Sequence, residues 1–247
     1  MKIIGIIPAR FASSRLPGKP LALIGGKPMV QHVYEQACCA PSLESVLIAT
    51  DDLRIAQAAA TFGAPFVMTD PSLPSGTDRC YAALQASGLE AGAIINIQGD
   101  EPFIPVENIE QVCRLLALPN ADIATLYTIE RDGFDTANPN TVKLVRDVQG
   151  KALYFSRAQI PYPMNGNGGT EYESYLKHIG IYGYRKDVLA KLVALPQSRL
   201  ELTERLEQLR WLENGYRIYT DEGLESLSVD TEEDLERAND YFNTLTQ

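Results

Sequence analysis

The chain has 247 residues, 45% of them hydrophobic and 22% charged, with a formal net charge of -10. That length accommodates one large α/β domain or two small ones, and the composition is ordinary for a globular protein. The acidic balance argues against a polymeric nucleic acid as partner, which would need a broad basic footprint, but allows a small anion in one basic pocket.

The first element is the apolar run KIIGII, residues 2–7, which reads as a buried parallel strand. It is far too short for a signal segment or a membrane span, so a soluble cytoplasmic protein with no membrane insertion is expected. A basic loop follows. ALIGGKP (22–28) suggests a short extended piece with a Gly-Gly turn, and PMVQHVYEQACCA (28–40) reads as a helix with Pro28 in its first turn. SVLIAT (45–50) is a second strand. DDLRIAQAAATFG (51–63) is a helix capped by Asp51 or Asp52 and stopped at Gly63. PFVMT (65–69) is a third strand, and SGTDRCYAALQASG (75–88) is a helix opened by Ser75–Thr77 and closed by Gly88. AIINIQ (93–98) is a fourth strand and PVENIEQVCRLLAL (105–118) a fourth helix.

This alternation implies an α/β fold: a mixed, largely parallel sheet wound with helices on both faces. The second half has more strands, at DIATLYTI (122–129), TVKLVRD (141–147), ALYFSR (152–157) and IGIYGYR (179–185). NGNGGTEYES (165–174) has the character of a mobile loop. Helices return at LTERLEQLRWLENG (202–215) and TEEDLERANDYFNTL (231–245). The expectation is a single domain, 1–247, with a smaller inserted lobe over residues 119–185. The four cysteines (Cys38, Cys39, Cys80 and Cys113) read as buried reduced thiols, and with only His32 and His178 no zinc spacing appears.

Three constellations carry chemistry. PARFASSRLPGKPL (8–21) holds Arg10, Arg15 and Lys19, and the first acidic residue of the chain is Glu35. The segment is not a P-loop, because Gly26-Lys27 is followed by Pro28 and Leu21 stands where the first glycine belongs. Nor is it a dinucleotide fingerprint, since residues 8–15 contain no glycine. Its small residues Ala9, Ala12, Ser13 and Ser14 admit a ligand close to the backbone. The planar fork of Arg10 and the compact charge of Lys19 suit phosphate oxygens, and Pro17 and Pro20 stiffen the loop. The competing reading is a surface loop whose bases pair with acids elsewhere.

The second constellation is QGDEP (98–102), where Gly99 permits a bend and Asp100 emerges at a strand end. A carboxylate there beside phosphates suits Mg2+, although Asp100 or Glu101 as a simple turn cap is an alternative. The third is SVDTEEDL (228–235). Thr231 and Asp234 form a capping pair, which leaves Asp230 free for other work.

With ATDD (49–52), SGTDR (75–79), NPNTVKLV (138–145), ALYFSR, HIGIYGYR (178–185), LEQLR (206–210) and VDTEEDL (229–235), these motifs occur in order along nearly the whole chain. Together they resemble the 3-deoxy-manno-octulosonate (Kdo) cytidylyltransferase family of sugar nucleotidyltransferases. The opening motif is shared by the wider superfamily; YFSR, GIYGYR and EQLR are more specific. The resemblance implies attack by the anomeric hydroxyl of Kdo on the α-phosphorus of CTP, giving CMP-Kdo and pyrophosphate for lipopolysaccharide synthesis, with Mg2+ and as a homodimer.

It further implies Arg10 and Lys19 as a triphosphate clamp, with Asp100 and Asp230 holding metal and completing the catalytic set. Pro8, Ala9, Ser13, Arg15, Ser75, Gly76, Thr77 and Arg79 line the nucleotide, Arg79 having a helix-surface position as its alternative. Gln98, Arg157, His178, Tyr182, Glu207 and Gln208 face the sugar, and Arg157 pairs with its carboxylate. Tyr182 and Tyr184 are assigned to opposite faces of their strand, so that at most one faces the sugar. Glu101, where the 8-amino-Kdo branch has Gln, favours ordinary Kdo over that sugar or another acidic one. A non-catalytic nucleotide-binding protein is the alternative of a different class, though the presence of both aspartates gives no sign of a dead site.

Overall fold

Isoleucine decides where the centre of the first half lies. In β1 (Ile3–Ala9) nearly every residue is buried, with Ile6 and Ile7 wholly so, as in a parallel strand covered on both faces. The computed structural model describes residues 1–12, 15–130, 135–163 and 175–245. Contacts divide the chain into two compact units. One is Met1–Glu110 with Ser226–Gln247, the other Gln111–Glu225, and the expected lobe, 119–185, lies within the second.

In the first unit β1 leads through a loop to a 3-10 turn (Lys19–Leu21), then a small antiparallel hairpin of β2 (Leu23–Ile24) and β3 (Lys27–Pro28). There follow α1 (Met29–Cys38), β4 (Ser45–Thr50), α2 (Leu53–Thr61), β5 (Phe66–Met68), α3 (Gly76–Ser87), β6 (Ala93–Asn96) and α4 (Val106–Leu116), within which the chain leaves this unit. The strands run parallel in the order β6-β1-β4-β5. Asp52 caps α2 by accepting from the Arg54 amide at 2.8 Å, and Ser75 caps α3 by accepting from the Asp78 amide at 3.1 Å. Pro28 stands one position earlier than expected, at the N-cap of α1.

The cysteines correct the expectation. None of the four is in a disulfide, but only Cys80 and Cys113 are buried; Cys38 and Cys39 are exposed. Neighbouring helical residues lie about 100° apart, and Ala37 takes the core-facing position at the end of α1.

The second unit contains β7 (Ile123–Glu130), β8 (Lys143–Arg146), β9 (Ala152–Ser156), β10 (Tyr175–Arg185), α5 (Lys186–Leu192), α6 (Arg199–Glu204), α7 (Glu207–Glu213) and β11 (Ile218–Glu222). β11 pairs parallel to β7, and β7, β10, β8 and β9 pair antiparallel in turn, so the sheet is mixed as expected. Residues 165–174 lie outside the described residues.

The helix expected over 202–215 is two. Arg205 adopts a left-handed conformation (φ 53°) between α6 and α7, and the Arg157 side chain donates to the carbonyls of Glu204 (2.7 Å) and Arg205 (3.4 Å) at that corner. A further reading is corrected at Tyr182 and Tyr184. Alternation along a strand has period two, so residues two apart share a face. The two rings stack with centroids 6.0 Å apart, and both meet Trp211 edge-on. The chain then returns to the first unit with α8 (Glu232–Leu245).

Candidate active site

The basic loop leaves β1 at the carboxyl end of the parallel strands, where open α/β sheets bind ligands. Three anchors fix it. The Gly18 amide donates to the Phe11 carbonyl at 3.1 Å, Leu16 is buried in a cluster with Ile24, Met29, Val229 and Ala238, and Lys19 begins the 3-10 turn. Burying Leu16 contributes roughly 1.5–3 kcal/mol, enough to hold a short loop without lengthy secondary structure. Gly18 has φ +70°, and a Cβ there would lie 3.0 Å from Phe11 Cζ, so neither conformation nor space suits a side chain.

A cleft of about 440 Å3 opens beside the loop, within the volume range of small-ligand sites. Pro8, Ala9, Arg10, Ala12, Arg15 and Lys19 line one side, with Pro20, Pro74, Ser75, Gly76, Gln98, Gly99, Asp100 and Asp230 around it. The nucleotide-side expectations therefore converge, apart from three. Ser13 lies outside the described residues. Thr77 and Arg79 are buried and do not line the cleft.

Arg79 is no helix-surface residue. It is fully buried, pairs with Asp51 at 2.8 Å and donates to the Thr69 hydroxyl. The ATDD motif thus supplies an internal counter-ion for SGTDR. Pro74 and the Leu73 carbonyl, which accepts from Arg10, were missed by the sequence reading; their only signal was the proline-rich approach to SGTDR.

Gly99 has a reason other than a bend. A Cβ on it would sit 2.9 Å from the Pro8 carbonyl oxygen, so only glycine lets the two strand exits pass this closely. Asp100 is thereby brought beside the basic loop. Asp230 arrives because the Val229 amide donates to the Asp100 carbonyl at 2.9 Å. Asp234 accepts from the Asp230 and Thr231 amides at 3.0 Å and the Thr231 hydroxyl accepts from the Asp234 amide, so the cap does not use the Asp230 side chain.

Lys19 Nζ lies between the two aspartates, 2.7 Å from Asp100 Oδ2 and 3.0 Å from Asp230 Oδ1. Burial works against this ammonium, but the two carboxylates outweigh it and hold its pKa above the usual lysine value. Arg15 also reaches Asp230 Oδ1 at 3.0 Å, but both partners are more exposed, so this pair contributes at most about 1 kcal/mol. The bases of the loop do pair with acids, as the competing reading had it, but those acids line the same cleft. Next door, burial and the Asp100 charge push the Glu101 carboxyl up to about 7.

The two aspartates suit a divalent cation. Lys19 shows that a positive centre fits between them, and Mg2+ commonly takes one or two carboxylates with phosphate oxygens and water. Among the described residues no group of three or more acidic, histidine or cysteine side chains gathers as an all-protein metal cage.

Of the sugar-side expectations, Gln98 lines the cleft of the first unit and the other five belong to the second. His178 is half-buried, with its ring packed beside Phe155 and Tyr182, and desolvation lowers its pKa to about 3, so it is neutral near pH 7. Its Nε2 lies 3.0 Å from the Thr125 hydroxyl, which also reaches the Ile179 and Ile181 carbonyls at the bulge in β10. The Tyr182 hydroxyl is buried with no partner at hydrogen-bonding geometry among the described residues. Burial, then the charge of Glu207, raises its pKa far above the ordinary range, and the nearby Thr125 hydroxyl, although not aligned for a full hydrogen bond, offsets part of this. Glu207 and Gln208 open α7, immediately after the Arg205 corner.

Arg157 is more occupied than expected. Besides the Glu204 and Arg205 carbonyls it donates to the Pro139 carbonyl at 2.7 Å, and its own carbonyl accepts from Lys143. Lys143 is a fully buried cation that also donates to the Asn138 and Thr141 carbonyls, and nothing but its place in NPNTVKLV drew attention to it.

A family model described as cytidylyltransferase matches residues 4–218. The 3-deoxy-manno-octulosonate cytidylyltransferase of Parabacteroides distasonis is 51% identical, over 96% of this chain and 97% of its own. That of Solibacter usitatus is 49% identical, over 98% and 94%. A solved CMP:2-keto-3-deoxy-manno-octonic acid synthetase, complexed with CTP, superposes with a TM-score of 0.93 at 42% identity, covering 99% of this chain and all of that one. A 4-diphosphocytidyl-2C-methyl-D-erythritol synthase from Anaerococcus prevotii, 14% identical with a TM-score of 0.63, shares the fold. The chain belongs to the cytidylyltransferase family and, within it, to the 3-deoxy-manno-octulosonate cytidylyltransferases.

Proposed function

We propose that this enzyme transfers the cytidylyl group of CTP to Kdo, giving CMP-Kdo and pyrophosphate. The observation that carries the reading is the Lys19 ammonium held between Asp100 and Asp230 in a cleft that also contains Arg10 and Arg15. The anomeric hydroxyl oxygen bonds to the α-phosphorus while the bond from that phosphorus to the β-phosphate bridging oxygen breaks. The hydroxyl proton passes to solvent or to the departing pyrophosphate.

Both substrates are anions, so mutual repulsion must be offset. Arg10 and Lys19 carry fixed positive charge beside the polyphosphate, where negative charge grows on the leaving group. Arg15 adds charge at the rim. Pro8, Ala9, Ser75 and Gly76 present small side chains and backbone to the nucleotide, and Ser13 is assigned to the same loop by its place in the motif. Thr77 and Arg79 act from beneath the cleft. Asp100 and Asp230 would hold Mg2+, which supplies charge neutralisation for the pyrophosphate and acidity for the attacking hydroxyl. On the sugar, Gln98, Tyr182, Glu207 and Gln208 offer hydrogen bonds to hydroxyls, His178 contributes a neutral imidazole, and Arg157 has guanidinium hydrogens left for the carboxylate. A homodimer, a cytoplasmic location and a role in lipopolysaccharide synthesis belong to the same proposal. No helix among the described residues is long and apolar enough to cross a membrane.

The test is pyrophosphate release with each of the four nucleoside triphosphates against Kdo, 8-amino-Kdo and sialic acid, with and without Mg2+. Release only with CTP, Kdo and Mg2+ is expected. Release with 8-amino-Kdo in preference to Kdo would transfer the reading to that sugar, and CTP binding without release under any condition would make the protein a nucleotide binder.

A further inference from the structure

Outside the cleft, the start of α2 reaches the stem of the basic loop. Arg54 lays its guanidinium carbon 3.3 Å from the centre of the Phe11 ring. The guanidinium is oriented by Asp52, whose two oxygens accept from Nε at 2.9 Å and Nη2 at 2.7 Å. On the loop side the Phe11 ring packs against Gly18, and the Phe11 carbonyl accepts from the Gly18 amide. Asp52, Arg54, Phe11 and Gly18 therefore form a continuous stack that shuts the base of the loop, with Arg10 just before it and Lys19 just after.

We propose that Arg54 is a positioning residue: laid on Phe11 and aimed by Asp52, it preorganises the basic loop and so sets the affinity for the nucleoside triphosphate without touching it. The physical reason is entropic. The bases of the loop must meet a polyphosphate in one geometry, and a stem held closed beforehand loses less freedom when the ligand arrives. A cation over an aromatic face suits this role, because it holds the ring laterally while leaving the loop edge open. The helix cap does not need an arginine there: Asp52 caps α2 through the backbone amide whatever side chain stands at 54. The inference rests on the nucleotide reading above.

The test uses the full chain. CTP binding with Mg2+ is measured by calorimetry in the absence of sugar, and steady-state turnover is measured alongside for Arg54→Ala, Phe11→Leu, the double variant and Phe11→Tyr. Arg54→Ala and Phe11→Leu are expected to weaken CTP binding and raise its KM by about three- to ten-fold. The KM for Kdo and kcat should stay within about two-fold. The double variant should be no worse than the poorer single one, since both remove one contact, and Phe11→Tyr, which keeps the ring, should behave as wild type. Unchanged CTP binding, equal losses for CTP and Kdo, or additive effects in the double variant would each overturn the proposal. Wild-type protein that binds CTP without turnover would defeat the function reading while leaving the latch to be judged on binding; no CTP binding at all would defeat both.

Discussion

Lys19 and Asp100 are joined by a 2.7 Å ion pair across the mouth of a cleft. The loops that carry them leave the ends of two adjacent parallel strands, β1 and β6, and the anchors of the basic loop complete their approach. The second carboxylate on the same ammonium, Asp230, is brought there by the Val229 backbone hydrogen bond and by burial of Val229 in the cluster that holds Leu16.

Asp100→Asn keeps the side-chain shape and removes the charge. Turnover is expected to fall about a hundred-fold or more while circular dichroism and the melting temperature change little. Chelation of divalent metal should stop the wild-type reaction to a similar degree. A variant as active as wild type would remove Asp100 from the metal assignment.

Arg10→Ala removes a guanidinium that in the free protein donates to the Leu73 carbonyl. A charge-assisted hydrogen bond to phosphate contributes about 1.5–3 kcal/mol, so the KM for CTP should rise by about ten-fold or more with a much smaller change for Kdo. Equal effects on the two substrates would contradict the clamp.

Tyr182→Phe separates stability from recognition. Among the described residues the buried hydroxyl makes no well-formed hydrogen bond and has only the Thr125 hydroxyl acting on it, so its removal should change the stability by no more than about 1 kcal/mol in denaturant unfolding. The KM for the sugar should rise while that for CTP does not. A destabilised variant with unaltered sugar kinetics would return Tyr182 to the core.

His178 should make the protein acid-sensitive. Its folded pKa, about 3, lies below the unfolded value near 6.5, so as pH falls below 6.5 only the unfolded chain takes up this proton. Stability is lost through that window at up to about 1.4 kcal/mol per pH unit, or about 2 kcal/mol between pH 7 and pH 5. His178→Gln should flatten the fall by that amount, measured as the difference in unfolding free energy at the two pH values. An unchanged slope would mean that His178 also titrates normally when folded.

The sequence made the first half of the fold easy to read, because the isoleucine runs of β1 and β6 and the caps at Asp52 and Ser75 are local signals. The Thr231–Asp234 cap was legible for the same reason, and it correctly released Asp230. The break at Arg205 was not, since neither glycine nor proline marks it and the carbonyls of the corner are met by Arg157 from far away in sequence. The burial of Arg79, which removes its helix-surface alternative, was hidden for a similar reason: it depends on Asp51, which local spacing cannot pair with it. Tyr182 and Tyr184 were wrong for want of strict period-two counting. Arg157 showed its charge in the sequence but not the three carbonyls that occupy it.

The Val229–Asp100 hydrogen bond has a consequence for when activity can appear. Asp230 lies 130 residues beyond Asp100, so a ribosome making this chain finishes the loop and the first aspartate long before the second exists. A nascent chain holds only half of the carboxylate pair, and closing the other half is a long-range event that follows formation of the sheet. Competence to turn over substrate should therefore lag behind the gain of secondary structure when the denatured protein refolds.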